Sequence, residues 1–457
     1  MRENNTIKMT AGEKRAAFGL AGVYGFRMLG LFLILPVFAL AAEEMPGATP
    51  LLIGLAVGIY GLTQALLQIP FGLLSDRIGR KPVIFAGLLL FALGSAIAAS
   101  AQDIWLVIIG RAVQGSGAIA AAVMALAADL TREENRTKAM ATIGMTIGAS
   151  FMLAMLAGPV LDRLIGISGI FWLTAVLAML GIAIVALVVP TPTRSSVHRD
   201  AEPVPAMFSR VLRSPDLLRL DVGIFSLHLI LTALFLALPL VLRDLGLATV
   251  EHSSLYLPVM LVSIAVMVPF VILAEKHGRM KPVFLGAVAA LAIAQLAMGL
   301  WSDQYWGVVA ALALFFTAFN LLEATLPSLI SKVAPVEAKG TAMGVYSTSQ
   351  FAGAFVGGLL GGWVHQRFGV VAVFQAGALV AAVWWLLASG MRRPGRYSSR
   401  LLNLGEMGEH AELAARLRGV PGVVEAVVVA DEGVAYLKVD RDQIDDAALD
   451  EIVARPA

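Results

Sequence analysis

Long apolar runs recur along nearly the whole chain, broken only by short charged stretches. At about 20 residues each, they are long enough to cross a ~30 Å hydrocarbon core as helices. The bilayer interior offers no water to backbone N–H and C=O groups, so such runs must satisfy themselves internally and read as spanning helices. They fall at 18–42, 51–75, 82–101, 104–128, 139–161, 170–190, 219–242, 254–275, 282–301, 305–331, 341–364 and 369–391. The chain is 58% hydrophobic and 14% charged, against about 25% charged in soluble domains. The lipid bilayer is therefore its first partner. The net charge of +2 comes from short loop clusters and gives no footing for nucleic acid. Cys is absent, which excludes disulfides, thiolate metal sites and thiol nucleophiles. Residues 1–15 are polar and mixed in charge, and the run after them is long enough to be a permanent span rather than a cleaved signal.

Loop charge predicts orientation. One set of loops carries Arg77, Arg80 and Lys81; Arg132, Arg136 and Lys138; Arg194, Arg199, Arg210 and Arg213; Lys276, Arg279 and Lys281; Lys332 and Lys339. The other set carries Arg163, Arg243 and Arg367. Lys/Arg excess marks the cytoplasmic face, so both termini are expected there, in a plasma membrane (the inner membrane of a bacterium).

The chain repeats itself. Asp76-Arg77-Ile78-Gly79-Arg80-Lys81-Pro82 follows the second run, and Glu275-Lys276-His277-Gly278-Arg279-Met280-Lys281-Pro282 follows the eighth. Pro70-Phe71 and Pro269-Phe270 stand six residues before each acid. Thr137-Lys138-Ala139-Met140 pairs with Gly340-Thr341-Ala342-Met343, and Gly-Ile-Phe-Trp (169–172) with Ala-Val-Phe-Gln (372–375). The order and spacing predict two six-helix halves in tandem, an arrangement that points to a transporter. The expected division is 1–190, a linker at 191–218, 219–391, and a polar tail at 392–457. Within the linker, Met207–Arg213 can form a short amphipathic helix on the membrane surface.

Gly72-Leu73-Leu74-Ser75-Asp76-Arg77-Ile78-Gly79-Arg80-Lys81 resembles motif A of the major facilitator superfamily. Arg111-Ala112-Val113-Gln114-Gly115-Ser116-Gly117 resembles its motif B. Gly158-Pro159, with Ala154 where the family usually has Gly, resembles motif C of the drug–proton antiporter branch. Arg27-Met28-Leu29-Gly30 through Leu35-Pro36 is similar to the antiporters' first-helix motif. The resemblance covers about residues 15–392. It implies an all-α polytopic membrane protein of twelve helices in two six-helix halves. It further implies secondary active transport by alternating access, as efflux of small organic compounds, including lipophilic ones, in exchange for protons. The driving force would be the proton gradient, with no cofactor. A solute–proton symporter or a facilitator on the same fold, and a membrane sensor with the tail as output, are the competing readings. No Gly-Lys-Ser/Thr loop is present to bind ATP phosphates, and nothing indicates an enzyme.

Each motif has a physical reading. Gly72 permits close helix packing. Asp76 at a helix end can accept from the N–H groups of a facing helix N-terminus, and the family resemblance places that partner near Thr341. Arg80 can reach Asp129, with Arg136 joining the cluster. Such a cluster would latch the halves in one state and release in the other. Positive-inside charge accounts for Arg77, Arg80 and Lys81 but not for the acids. Gly79 completes the loop, and Glu275, Gly278 and Arg279 form its repeat. Pro159 kinks a helix by removing a hydrogen bond, which many membrane helices show without special function.

Charges inside spans are costly and mark function by default. Glu323, with Asn320 one turn before it, is the leading proton carrier; a structural pairing is its rival. His228, Asp221 and Arg27 are further candidates, His228 against a packing role. Arg111 either anchors the motif B backbone or affects coupling. The substrate cavity is expected between the halves, lined by Met28, Phe32, Gln64, Gln68, Met152, Met155, Tyr256, Asn320, Tyr346 and Gln350. Met and aromatic groups repack around varied ligands, though most Met residues in so apolar a chain fill helix contacts.

After Met391 the composition turns polar. Arg392–Arg396 form a basic juxtamembrane stretch. Tyr397–Leu404, Val423–Ala430 and Val434–Val439 read as strands, the last two around an Asp431-Glu432-Gly433 turn. Glu406–Arg418 and Asp446–Arg455 read as helices. The order β-α-β-β-α resembles a ferredoxin-like α+β domain, and Gly422–Asp440 resembles heavy-metal modules of that fold without their Cys pair. Binding of a regulatory ligand, self-association and plain stabilisation are its open roles.

Overall fold

The computed structural model describes residues 8–192, 205–391, 397–403, 410–429, 434–440 and 443–454. Arg194, Arg199, the basic stretch 392–396, Leu404, the start of the expected helix at Glu406 and the turn at 430–433 lie outside the described residues.

The first half comprises α1 (Ala11–Phe32), α2 (Phe38–Glu43), α3 (Pro50–Ile78), α4 (Arg80–Ala99), α5 (Ile104–Gly115), α6 (Ala120–Asp129) and α7 (Glu133–Leu187). A short α8 (Phe208–Leu212) sits where the amphipathic linker helix was expected. The second half comprises α9 (Pro215–Asp244), α10 (His252–Glu275), α11 (Met280–Leu300), α12 (Tyr305–Val333), α13 (Lys339–Phe368) and α14 (Val370–Ser389). Twelve passages result among the described residues. α7 supplies two of them, turning at Gly166, whose φ of 66° lies in the left-handed region that glycine adopts freely.

Two expected spans are broken rather than continuous. The first stops at Phe32 and resumes at Phe38, because Pro36 has no N–H to continue the ladder. The fourth breaks between Gly115 and Ala120. Exposed backbone inside a membrane needs an internal partner, and the Gly117 carbonyl freed by that break accepts from Arg27 Nη2 at 3.2 Å.

α1 packs along α7, and α13 lies between α3 of the first half and α9 of the second. The α3–α13 contact joins the halves backbone to backbone. A Cβ on Gly54 would stand 2.1 Å from the Gly358 carbonyl oxygen, and one on Gly358 would stand 2.4 Å from that of Gly54. Small residues permit such approach where lipid gives no hydrophobic drive for helix association.

The tail folds as β1 (Tyr397–Asn403), α15 (His410–Arg418), β2 (Val423–Val429), β3 (Val434–Asp440) and α16 (Asp446–Ala454), bearing out the β-α-β-β-α order. The sheet runs β1-β3-β2, with β3 antiparallel to both neighbours, so β1 and β2 are parallel and split by β3. Leu413, Leu417, Ala426, Leu437, Val439 and Leu449 form its core. The domain docks on the loop between α12 and α13. Val336 is buried among Val429, Val434 and Tyr436. Lys438 Nζ donates to the Val333 and Ala334 carbonyls at 3.3 Å each. Arg210 on α8 pairs with Glu337 and, at 3.5 Å, with Glu425.

Candidate transport site

The motif A loop closes α3 and opens α4 through Gly79, whose φ is 97°. Arg80 is buried and gathers three acceptors. It donates to Ser75 Oγ at 2.9 Å, to Asp129 Oδ2 at 3.2 Å, and to Asp76. The structure thus brings Arg80, Asp76 and Asp129 together. Gly72 packs close to Ala121 of α6. Arg77 is exposed, Arg136 is buried on α7, and Thr341 is buried in the first turn of α13. In the second half the polarity is reversed. Glu275 accepts from Ser328 at 2.7 Å and Lys332 at 2.8 Å, both on α12. Gly278 has φ 65°, and Arg279 precedes α11.

Two features of this face escaped sequence reasoning. Lys81 Nζ donates to the Val189 carbonyl at 2.7 Å, and Lys281 Nζ to the Met391 carbonyl at 2.6 Å. Each lysine so caps the end of its half, a function that a count of topology charges conceals. Glu13 is buried at the start of α1 and accepts from Arg132 Nε and N, both at 2.9 Å, and from Asn135 Nδ2 at 3.2 Å. The Arg132 guanidinium, aided by backbone N–H groups, holds the Glu13 carboxyl well below the usual carboxylate range against the opposing effect of burial. The Thr10/Glu13 capping box was the available signal.

The first half encloses two arginines. Arg111 donates to the Ala56 and Val57 carbonyls at 3.3 Å each and to Gln114, and lies 4.9 Å over the Tyr60 ring. Gln114 passes the network to Ser95 at 2.8 Å. Gly115 and Gly117 let α5 approach α3 and α4. Arg27 donates to Tyr60 at 2.7 Å and Gln64 at 2.6 Å, while its Nε and Nη1 are buried without a hydrogen-bond partner among the described residues. Gln64 in turn donates to Gln68 at 3.3 Å. In motif C, Ala154 is fully buried, and a Cβ on Gly158 would stand 2.7 Å from the Leu33 carbonyl oxygen. Gly158 therefore seats α7 against the break in the first span, with Pro159 next to it.

The second half gathers acids instead. His228 Nε2 lies 2.8 Å from Gln350 Nε2 and 3.5 Å from Glu323 Oε1. Both Asp221 oxygens, Glu323 Oε1 and the Tyr346 hydroxyl are buried without a hydrogen-bond partner among the described residues. Above this cluster, Phe151 of the first half meets Phe235, Phe316 and Phe319 of the second, with centroids 6.1–6.3 Å apart, and Phe32 at 5.2 Å. Of the cavity candidates, Phe32, Met152, Asn320 and Gln350 are partly exposed. Met28, Gln64, Gln68, Met155, Tyr256 and Tyr346 are buried within the helix bundles.

Comparison with known proteins follows the same lines. Residues 20–274 and 220–424 both match the Major Facilitator Superfamily. The chain is 49% identical over 437 residues to the "Inner membrane transport protein YajR" of Escherichia coli (strain K12), covering 95% of this chain and 96% of that one. It is 24% identical over 345 residues to the "Multidrug resistance protein MdtH" of Shigella flexneri, covering 74% and 84%. The crystal structure of the human organic anion transporter MFSD10 (TETRAN) superposes with a TM-score of 0.62 at 19% identity, covering 83% of this chain and all of that one. Two tandem helical halves, the duplicated hinge loop and these matches place the chain in the Major Facilitator Superfamily: it is a multi-pass membrane transporter of that family.

Proposed function

We propose that this transporter exports small organic compounds, lipophilic ones included, in exchange for protons. The observation that carries the reading is the polar cluster of the second half, where Glu323 and Asp221 sit inside spanning helices without a cationic partner of fixed charge among the described residues. An unpaired ionised carboxylate in such a place is expensive, and a group that can take up and release a proton relieves that cost. Glu323, partly exposed and beside His228, is the group we assign to coupling. The aromatic cluster around Phe151 supplies an adaptable apolar wall for varied ligands.

The name of the YajR relative supports an inner-membrane location, and that of the MdtH relatives supports efflux. Loop charge supports cytoplasmic termini. We divide the chain at 1–190, 191–218, 219–391 and 392–457. The docking of the tail domain on the loop that leads into α13 supports a regulatory role for it over plain stabilisation.

Proton flux in proteoliposomes with an imposed pH gradient, across a panel of lipophilic compounds, tests the reading. Substrate-induced dissipation that Glu323→Gln abolishes is the expected result. Substrate movement with no proton flux would favour a facilitator, and uptake with the gradient a symporter.

A further inference from the structure

The face opposite the motif A loops is closed in this structure, in layers. At the rim, Arg243 Nη1 at the end of α9 donates to Glu43 at the end of α2, so an ion pair crosses from one half to the other. Arg243 Nε also donates to Asp244 at 3.1 Å, which fixes the fork of the guanidinium. Beneath the pair lies a cavity of about 270 Å³ walled by Thr49, Pro50 and Ile53 of the first half and Leu236, Leu240 and His365 of the second. Beside it the Leu51 N–H donates to Gln366 Oε1 at 3.2 Å, and deeper still are the Gly54–Gly358 contacts. On the other flank, Ser253 Oγ donates to the Leu156 carbonyl at 2.8 Å, again across the halves.

We infer that the Glu43–Arg243 pair is the latch of this face, because it joins the two halves at the rim. Arg243 is one of three basic residues in the loops of this side, where basic charge is otherwise sparse, and its charge is committed to a bond between halves. Alternating access requires every bond that crosses this face to break in the opposite state. The glycine contacts set how closely the helices can approach but carry no charge to select a partner. The ion pair selects. Both side chains are more than a third exposed, 47% for Arg243 and 36% for Glu43, so water resolvates them when the face opens. An exposed pair of this kind biases an equilibrium without locking it. The cavity leaves little side-chain packing directly beneath the pair, so the rim can part before the deeper glycine contacts do.

The absence of Cys makes the test direct, since labels can be placed without altering the background. Spin labels at Gln102 and Asp303, exposed positions near this face on the first and second half, report its width in the full chain in nanodiscs. Double electron–electron resonance should show Glu43→Gln and Arg243→Gln each lowering the closed-to-open ratio by roughly two- to fivefold, the range an exposed ion pair supports. The charge exchange Glu43→Arg with Arg243→Glu should restore the wild-type distribution and serves as the control for folding. Wild-type distributions in both single variants would overturn the latch. So would single-variant shifts that the exchange fails to reverse.

Discussion

Lys81 and Val189 are joined by a 2.7 Å hydrogen bond from the ammonium to the carbonyl, and it ties the start of the third span to the end of the sixth. Lys281 and Met391 repeat the bond at 2.6 Å in the second half. A cation at a helix C-terminus satisfies a carbonyl that the helix cannot and meets the negative end of its dipole. Replacing either lysine with Met should keep the stem and remove the cap, lowering stability by about 1 kcal/mol. Thermal unfolding in detergent, with the two variants and their combination, would check this. The two losses should add, because the sites lie in different halves.

Arg80 poses a sharper case. Its guanidinium serves Ser75, Asp76 and Asp129 at once. Arg80→Ala should cost about 3–5 kcal/mol, since it leaves the fully buried Asp129 side chain without that cation. Arg80→Lys should recover little, because a point charge on a flexible stem cannot reproduce the fork. Thermal stability of the purified variants separates the two outcomes.

The Glu13–Arg132 bond carries a pH signature. A carboxyl held below its ordinary range contributes stability that is present above that range and lost as pH falls through the lowered value. Wild-type stability should therefore hold down to the ordinary carboxylate range and decline below it. Glu13→Gln should lose about 1–3 kcal/mol at neutral pH and show a flatter acid limb. Unfolding curves between pH 7 and about pH 3 would reveal it.

Gly54→Ala tests the closeness of the two halves. The added Cβ would sit 2.1 Å from a backbone oxygen that has no side-chain freedom to retreat. The α3–α13 contact must open by an ångström or more to reach ordinary van der Waals separation, about 3.5 Å. The variant should shift toward the state with this face open and slow transport. Distance measurements across the face, run beside a transport assay, would show both effects or neither.

How much of this was legible beforehand differs by feature. The twelve passages follow from apolar length, because the bilayer imposes one solution on any such run. Neither break was legible: Pro70, Pro239, Pro269 and Pro327 lie inside continuous helices although they lack the same N–H as Pro36, and Ser116-Gly117 is equally compatible with a continuous helix. Arg80 and Asp129 were foreseen as partners because helix ends near a short loop leave few alternatives. Lys81 with Val189, Glu13 with Arg132 and Arg243 with Glu43 were not, being separated by 108, 119 and 200 residues respectively. No local rule of spacing reaches so far.

The sequence by itself determined the membrane environment, the number of passages, the tandem halves and the order of elements along the tail, since each follows from periodicity, length and solvent. Only the tertiary structure decided which charges meet. A side chain reports its chemistry in the sequence, but its partner depends on where helices cross. Those crossings are set by backbone approach at positions such as Gly54 and Gly358, where packing acts over distances the chain order does not encode.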